Sequence, residues 1–336
     1  MLAPVTDDVL ARLEQQHGAD LTLAHLIEGG LDRLPLPGEG RTLERWQMLA
    51  EVAAHDLSLV KLFEGHTDAL AILAELGAPA PSTGSRWGTW CAEPPDARLA
   101  MNAVEGARAS RVRLSGTKAW CSGAATVTHA VVSCWNPSGE PCLAAVSISP
   151  SQVTVTSQGW HAVGMAASGS VDVRFDHAEA MQIGQPGDYV GRSGFWHGGA
   201  GIAACWFGGA LGIARMTRQS SATAPDAHRL AHLGAIDVAL TAAAAALRET
   251  AAWIDAHPRA DAQGAALRAR LVVEHAAHEV MHHAGRAVGA GPLCRNPRFA
   301  RAMADLPVFL RQSHAERDLA ALGQQLIDEG VPPWKL

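Results

Sequence analysis

At 336 residues the chain is too long for one small domain and long enough for two or three modules around a large core. Its 48% apolar and 18% charged residues let most of that length bury surface. With 27 Lys+Arg against 33 Asp+Glu, the net charge of −6 supplies no basic field for nucleic acid or an anionic bilayer. The six cysteines, at 91, 121, 134, 142, 205 and 294, form no CxxC pair and are too sparse for a disulfide scaffold, which fits a reducing, cytoplasmic setting. Asp7 and Asp8 stand where an export signal would need a basic start and an apolar run. The uncharged stretch 193–214 is glycine-rich and interrupted by His197, so it reads as a buried helix rather than a membrane span.

Residues 1–80 read as a helical N-terminal domain. Val9, Leu10 and Leu13, then Leu21, Leu23, Leu26 and Ile27, recur at helical spacing, and 57–76 repeats the pattern. The Pro- and Gly-containing tract 77–84 ends it. From 81 to 185 the texture changes to short runs rich in Val, Thr, Ser and Trp, at 109–114, 128–135, 143–148, 153–157 and 170–175. Period-two alternation between turn residues predicts antiparallel strands in a small β barrel or sandwich. After 185 the chain is helical again, over 230–257, 265–288 and 298–329, and long helices with short connections predict an antiparallel bundle over 186–336.

Two motifs carry chemistry. His278-Glu-Val-Met-His282 is a literal HExxH, which on a helix sets two imidazoles on one face for zinc. Its segment also holds His275 and His283, however, and no downstream His or Glu completes a protease pattern, so a zinc hydrolase is the weaker reading and no metal is expected. The second is Leu114-Ser-Gly-Thr-Lys-Ala-Trp-Cys-Ser-Gly-Ala124, read as a hairpin turn and strand with Trp120 beside small polar groups. An indole there can pack along a flat ring while nearby backbone N–H groups and the Ser122 hydroxyl bond its polar edge.

Here the sequence resembles the acyl-CoA dehydrogenase superfamily of flavoproteins. Trp90-Cys-Ala-Glu-Pro94 is similar to its strand ending in Thr-Glu-Pro, and Gly116-Thr-Lys-Ala-Trp-Cys-Ser-Gly-Ala124 to the Gly-x-Lys-x-Trp segment that follows. Gly164-Met-Ala-Ala-Ser-Gly-Ser-Val-Asp-Val-Arg-Phe175 is similar to the later Gly-Met-x-Ala-Ser motif, and Arg286-Ala-Val-Gly-Ala-Gly291 to a Gly-rich turn that receives the cofactor's diphosphate from a neighbouring subunit. The resemblance implies an α+β multidomain fold: a helical N-terminal domain, a central antiparallel β barrel and a C-terminal four-helix bundle, with FAD in the cleft between barrel and bundle. Trp90, Cys91, Trp120 and Ser122 would line the flavin, while Arg286, Gly289 and Gly291 would approach the diphosphate in a homodimer or homotetramer. Glycine at 289 and 291 also lets backbone come near a diphosphate.

The departures bear on the reaction. Ala92 replaces the family's threonine beside the flavin, and Pro95-Asp-Ala-Arg98 replaces the loop that helps hold acyl-CoA. The resemblance implies α,β-dehydrogenation of an acyl thioester or related small molecule, with an electron-transfer partner. That chemistry needs a base opposite the flavin. Ser313 or His314 falls where the family has glutamate, and Glu316 lies just beyond. His314 resembles the histidine of the superfamily's flavin monooxygenase branch, which uses reduced flavin from a reductase, and imidazole can exchange protons at neutral pH. His197, in Phe195-Trp-His197, is the second candidate base. The alternatives are therefore a monooxygenase, a non-catalytic subunit and the zinc hydrolase.

Overall fold

The computed structural model describes residues 3–104, 110–149, 151–223, 225–328 and 334. In chain order it has helices α1 (Ala3–His17), α2 (Leu23–Glu28), α3 (Thr42–His55) and α4 (Leu57–Glu75). Then come strands β1 (Trp87–Trp90), β2 (Leu99–Ala103), β3 (Arg111–Cys121), β4 (His129–Trp135), β5 (Pro141–Ser147), β6 (Val153–Val155) and β7 (Val171–Ile183). Helices follow: α5 (Asp188–Gly191), α6 (Gly194–Ala222), α7 (Ala227–Ala256), α8 (Gln263–Val288), α9 (Ala290–Arg295), α10 (Pro297–Phe309) and α11 (Glu316–Asp328). Two expected boundary residues, Ala109 at the head of the first strand and Glu329 at the end of the last helix, lie outside the described residues.

The chain forms two compact units. One comprises Met1–Leu34, Ser58–Ala162 and Ala166–Phe195; the other comprises Pro35–Leu57, Val163–Met165 and Trp196–Leu336. The expected breaks at 80 and 185 mark changes of secondary structure, whereas the units assign 35–57 to the helical half of the chain.

In the first unit the strands close on themselves. β4 pairs with β2, β2 with β3, β3 with β7, β7 with β5, and β5 with β4 again, while β1 is added beside β4 and β6 beside β7. This ring of five is a barrel, which leaves few free edges. It is not purely antiparallel as expected, because β1 and β2 both run parallel to β4. Strand alternation sorts the side chains: Ala130, Val132, Cys134, Cys142, Ala144 and Val146 fill the interior with Leu99 and Leu114, whereas Val131 and Leu143 face outward onto Ile72 and Leu73 of α4. In the segment 114–124, expected as a hairpin turn and a strand, β3 runs on through two register shifts to Cys121. β7 runs on to Ile183, well past the expected end at 175.

In the second unit α7 lies along α8, with α3 against α7 and α11 against α8. The expected buried helix is α6, whose bare faces let it lie close on α3. A Cβ at Gly208 would fall on the carbonyl of Ala50, and one at Gly212 on that of Ala54. Both α6 and α7 are long and apolar enough to cross a membrane, but α6 is 67% buried over its most apolar window, as a core helix is. The single helix expected over 298–329 is two, α10 and α11, separated by a turn at Leu310–Gln312 and Ala315 with φ 47°.

Candidate functional site

The first unit builds a wall around Trp120. Lys118 is fully buried, and its ammonium lies 2.5 Å from Glu93 Oε1 and 2.6 Å from Ser133 Oγ. Glu93 also accepts from the Ser133 hydroxyl and, at 2.9 Å, from the Trp135 indole N–H. Burial alone would raise the Glu93 pKa, but the bonds from Lys118, Ser133 and Trp135 outweigh it and hold the carboxyl below its ordinary value. Arg98 stacks over Trp135 at 4.5 Å and lies 3.9 Å from Glu93, which ties down the altered loop at 95–98.

Past that anchor the β3–β7 register shifts between Lys118 and Cys121. The bulge ends at Cys121, which is buried in the barrel core. Between the two anchors Trp120 adopts φ 56° and is 52% exposed. Left-handed backbone costs an L residue about 1–2 kcal/mol, and a half-exposed indole forgoes burial. Two costs met at one aromatic residue are the kind of strain that clusters at ligand sites.

The groups after Trp120 are arranged around it. The Ser122 N–H donates to the Trp120 carbonyl at 3.0 Å and the Gly123 N–H to the Ser168 carbonyl at 2.8 Å. These two backbone donors are engaged in the turn, and the Ser122 side chain has partners of its own. Its Oγ lies 2.8 Å from Ser170 Oγ, which lies 2.9 Å from Ser168 Oγ. Trp90 is 2% exposed and donates its indole N–H to the Ser122 carbonyl at 3.0 Å. It braces the wall from within the core. The Cys91 thiol is pushed up to about 12 by burial and bonds the Tyr189 hydroxyl, whose own pKa burial also raises. It is a neutral packing group rather than a thiolate.

The other candidates lie in the second unit. Ser313 is buried and its Oγ accepts the Ala315 N–H at 3.1 Å, so the hydroxyl serves the turn before α11. The His314 ring is 57% exposed, 3.4 Å from Asp318 Oδ1, and the His314 N–H donates to Asp318 Oδ2 at 3.0 Å. Glu316 is exposed at the start of α11. His197 lies one turn into α6, 2% exposed, with its ring against the backbone of Gly38. Sequence reading missed Arg270 on α8. Buried over the Trp206 ring, it donates to the carbonyls of Gly199 and Gln312, both at 2.8 Å, and so ties α6 to the turn before His314. Gly164 and Met165 dock on α10, where the Met165 N–H donates to Asp305 at 2.5 Å and a Cβ at Gly164 would strike the Ala304 carbonyl.

Arg286 and Gly289 are exposed at the end of α8, where Gly289 has φ 66° and breaks the helix. Gly291 borders a hollow of about 280 Å³ with Val288, Arg295 and Phe299. In the HExxH segment His278 and His282 lie on the exposed face of α8, and no group of three or more potential metal ligands occurs among the described residues. His283 turns instead to His232 of α7, with 2.9 Å between their Nδ1 atoms.

No protein-family model matches the sequence, and no curated protein matches it. Solved structures do. Indole-bound TdsC from Paenibacillus sp. A11-2, a dibenzothiophene monooxygenase, superposes with a TM-score of 0.84 at 19% identity over 97% of both chains. The chain has the acyl-CoA dehydrogenase-like fold. Methanesulfinate monooxygenase MsuC from Pseudomonas fluorescens matches this chain with a TM-score of 0.82 at 19% identity, over 99% of this chain and 98% of that one. A nitrososynthase from Micromonospora carbonacea var. africana matches at 0.77, 19% identity and 97% of both. The resemblance read from the motifs thus holds at the level of the fold. TdsC has been solved with FMN and indole, and KijD3 with FMN and a dTDP-sugar; FMN is the flavin in both, where FAD was expected for this chain.

Proposed function

We propose that this acyl-CoA dehydrogenase-like chain is a flavin-dependent oxidoreductase of the monooxygenase type, acting on a small molecule with reduced flavin supplied by a separate reductase. The observation that carries the reading is Trp120, an indole held half-exposed in left-handed backbone by a bulge between two buried anchors, Lys118 and Cys121. A planar tricyclic ring is the ligand such a wall suits: the indole offers a face, and the Ser122 hydroxyl offers a reversible hydrogen bond at the ring edge. Bound flavin supplies two-electron chemistry and, with oxygen, insertion of an oxygen atom. FMN and FAD present the same ring to this wall, and Arg286, Gly289 and Gly291 matter only to the diphosphate half of FAD.

The monooxygenase reading is favoured over acyl thioester dehydrogenation by the residues at the expected base position. A dehydrogenase needs a carboxylate over the flavin, whereas this segment offers a buried Ser313, the Asp318-paired His314 and a solvent-facing Glu316. His314 is the proposed proton donor and acceptor, with His197 second. The chain is proposed to work in the cytoplasm as a homodimer or homotetramer. Candidate small molecules given reduced flavin should yield product in air and none under argon. Equal product under argon with an artificial electron acceptor would restore the dehydrogenase reading.

A further inference from the structure

The three serine hydroxyls behind Trp120 form a chain with a direction. Ser122 Oγ, Ser170 Oγ and Ser168 Oγ are spaced at 2.8 and 2.9 Å, and Ser170 and Ser168 are 4% and 1% exposed. Each hydroxyl carries one proton and two lone pairs, so the chain has two proton orders. In one, Ser170 donates to Ser122 and the Ser122 proton points outward. In the other, Ser122 donates to Ser170 and a lone pair points outward. The Ser122 and Gly123 N–H groups are held by the Trp120 and Ser168 carbonyls, so of these groups only the hydroxyl can reverse its sense.

This inference rests on the flavin reading above. A flavin's N5 accepts a hydrogen bond when oxidised and carries a hydrogen when reduced. We propose that Ser170, backed by Ser168, is a positioning residue that lets the Ser122 hydroxyl donate to oxidised flavin and accept from reduced flavin. The two states lean on Ser170 unequally. When Ser122 donates outward, loss of Ser170 removes only an incoming bond. When Ser122 accepts, its own proton must turn inward, and without Ser170 that donor is left unsatisfied, the costlier fault in a buried place.

Calorimetric titration under argon, with oxidised FMN and with dithionite-reduced FMN, tests this on the wild type, Ser170→Ala, Ser170→Thr and Ser168→Ala, each checked for fold by circular dichroism. In Ser170→Ala the Kd for reduced FMN should rise about tenfold and that for oxidised FMN by less than about threefold. Ser170→Thr, which keeps the hydroxyl, should restore both, and Ser168→Ala should show a smaller split of the same sign. If the wild type binds both states and Ser170→Ala changes them equally or not at all, the chain of serines is only structural and the flavin reading survives. If the wild type binds neither state, the flavin reading fails and this inference with it. Should Ser170→Ala not fold, the split in Ser168→Ala decides.

Discussion

Glu93 shows how one carboxylate can hold a surface in place. It neutralises Lys118, which has no exposure to water, and it gathers Ser133 and Trp135 to the same point. Removing one partner of such a buried pair leaves a charge without compensation, at a cost of about 3–5 kcal/mol. Glu93→Gln should lose that much at neutral pH, read from the denaturant midpoint, and should weaken flavin binding because the bulge starts at Lys118. The pH dependence follows from the sign of the shift. The folded-state pKa of Glu93 lies below its unfolded value of about 4.3, so its contribution is complete above that value and is lost as pH falls through the folded pKa. The gap between wild type and Glu93→Gln should therefore narrow on acidification. Trp120 was legible in the sequence as a ring beside small polar groups. The chain of Ser122, Ser170 and Ser168 was not, because its members lie 48 residues apart at the widest and meet only when β3 pairs with β7. Cys91 and Trp90 are next to each other in the motif, yet local sequence does not reveal that one is neutralised by burial and the other turned into the core.

Secondary structure was most readable where periodicity is strong. The helices expected over 230–257 and 265–288 appear as α7 (Ala227–Ala256) and α8 (Gln263–Val288), and alternation marked β4 and β5. Alternation missed β1 and β2 because each is five residues or fewer and lies among Pro and Gly, and only the family resemblance at Trp90–Pro94 pointed to a strand at β1. The break between α10 and α11 escaped for a different reason. No glycine or proline lies in 308–315; the stop is made by Arg270, 42 residues away on no local pattern, donating to the Gln312 carbonyl, and by left-handed Ala315. Close packing is similarly nonlocal. In α6, Gly208 faces the Ala50 carbonyl, whereas a Cβ at Gly199 would meet only the Trp196 ring, at 3.7 Å. Gly208→Ala should therefore cost about 1–3 kcal/mol through overpacking. Gly199→Ala, in the same helix, should be neutral or stabilise by up to about 1 kcal/mol. Paired urea denaturation curves distinguish the two, and equal effects would contradict the close approach of α6 to α3.

For the whole molecule, composition argued against nucleic acid as a partner, and three motifs in order pointed to a fold, which likeness to solved structures then bears out at 19% identity. The reaction was less readable, because it depends on which group takes the place of a base, and 313–316 offers three candidates, Ser313, His314 and Glu316, with different exposures and partners. The central claim is that a flavin lies against Trp120, and titration of the intact protein with FMN, followed by fluorescence, tests it most directly. Wild type should bind FMN saturably, one per chain, and Trp120→Ala should weaken binding about tenfold, the order expected when an aromatic stacking partner and its buried area are lost. Absence of saturable binding by the wild type, or an unchanged affinity in Trp120→Ala, would contradict the account.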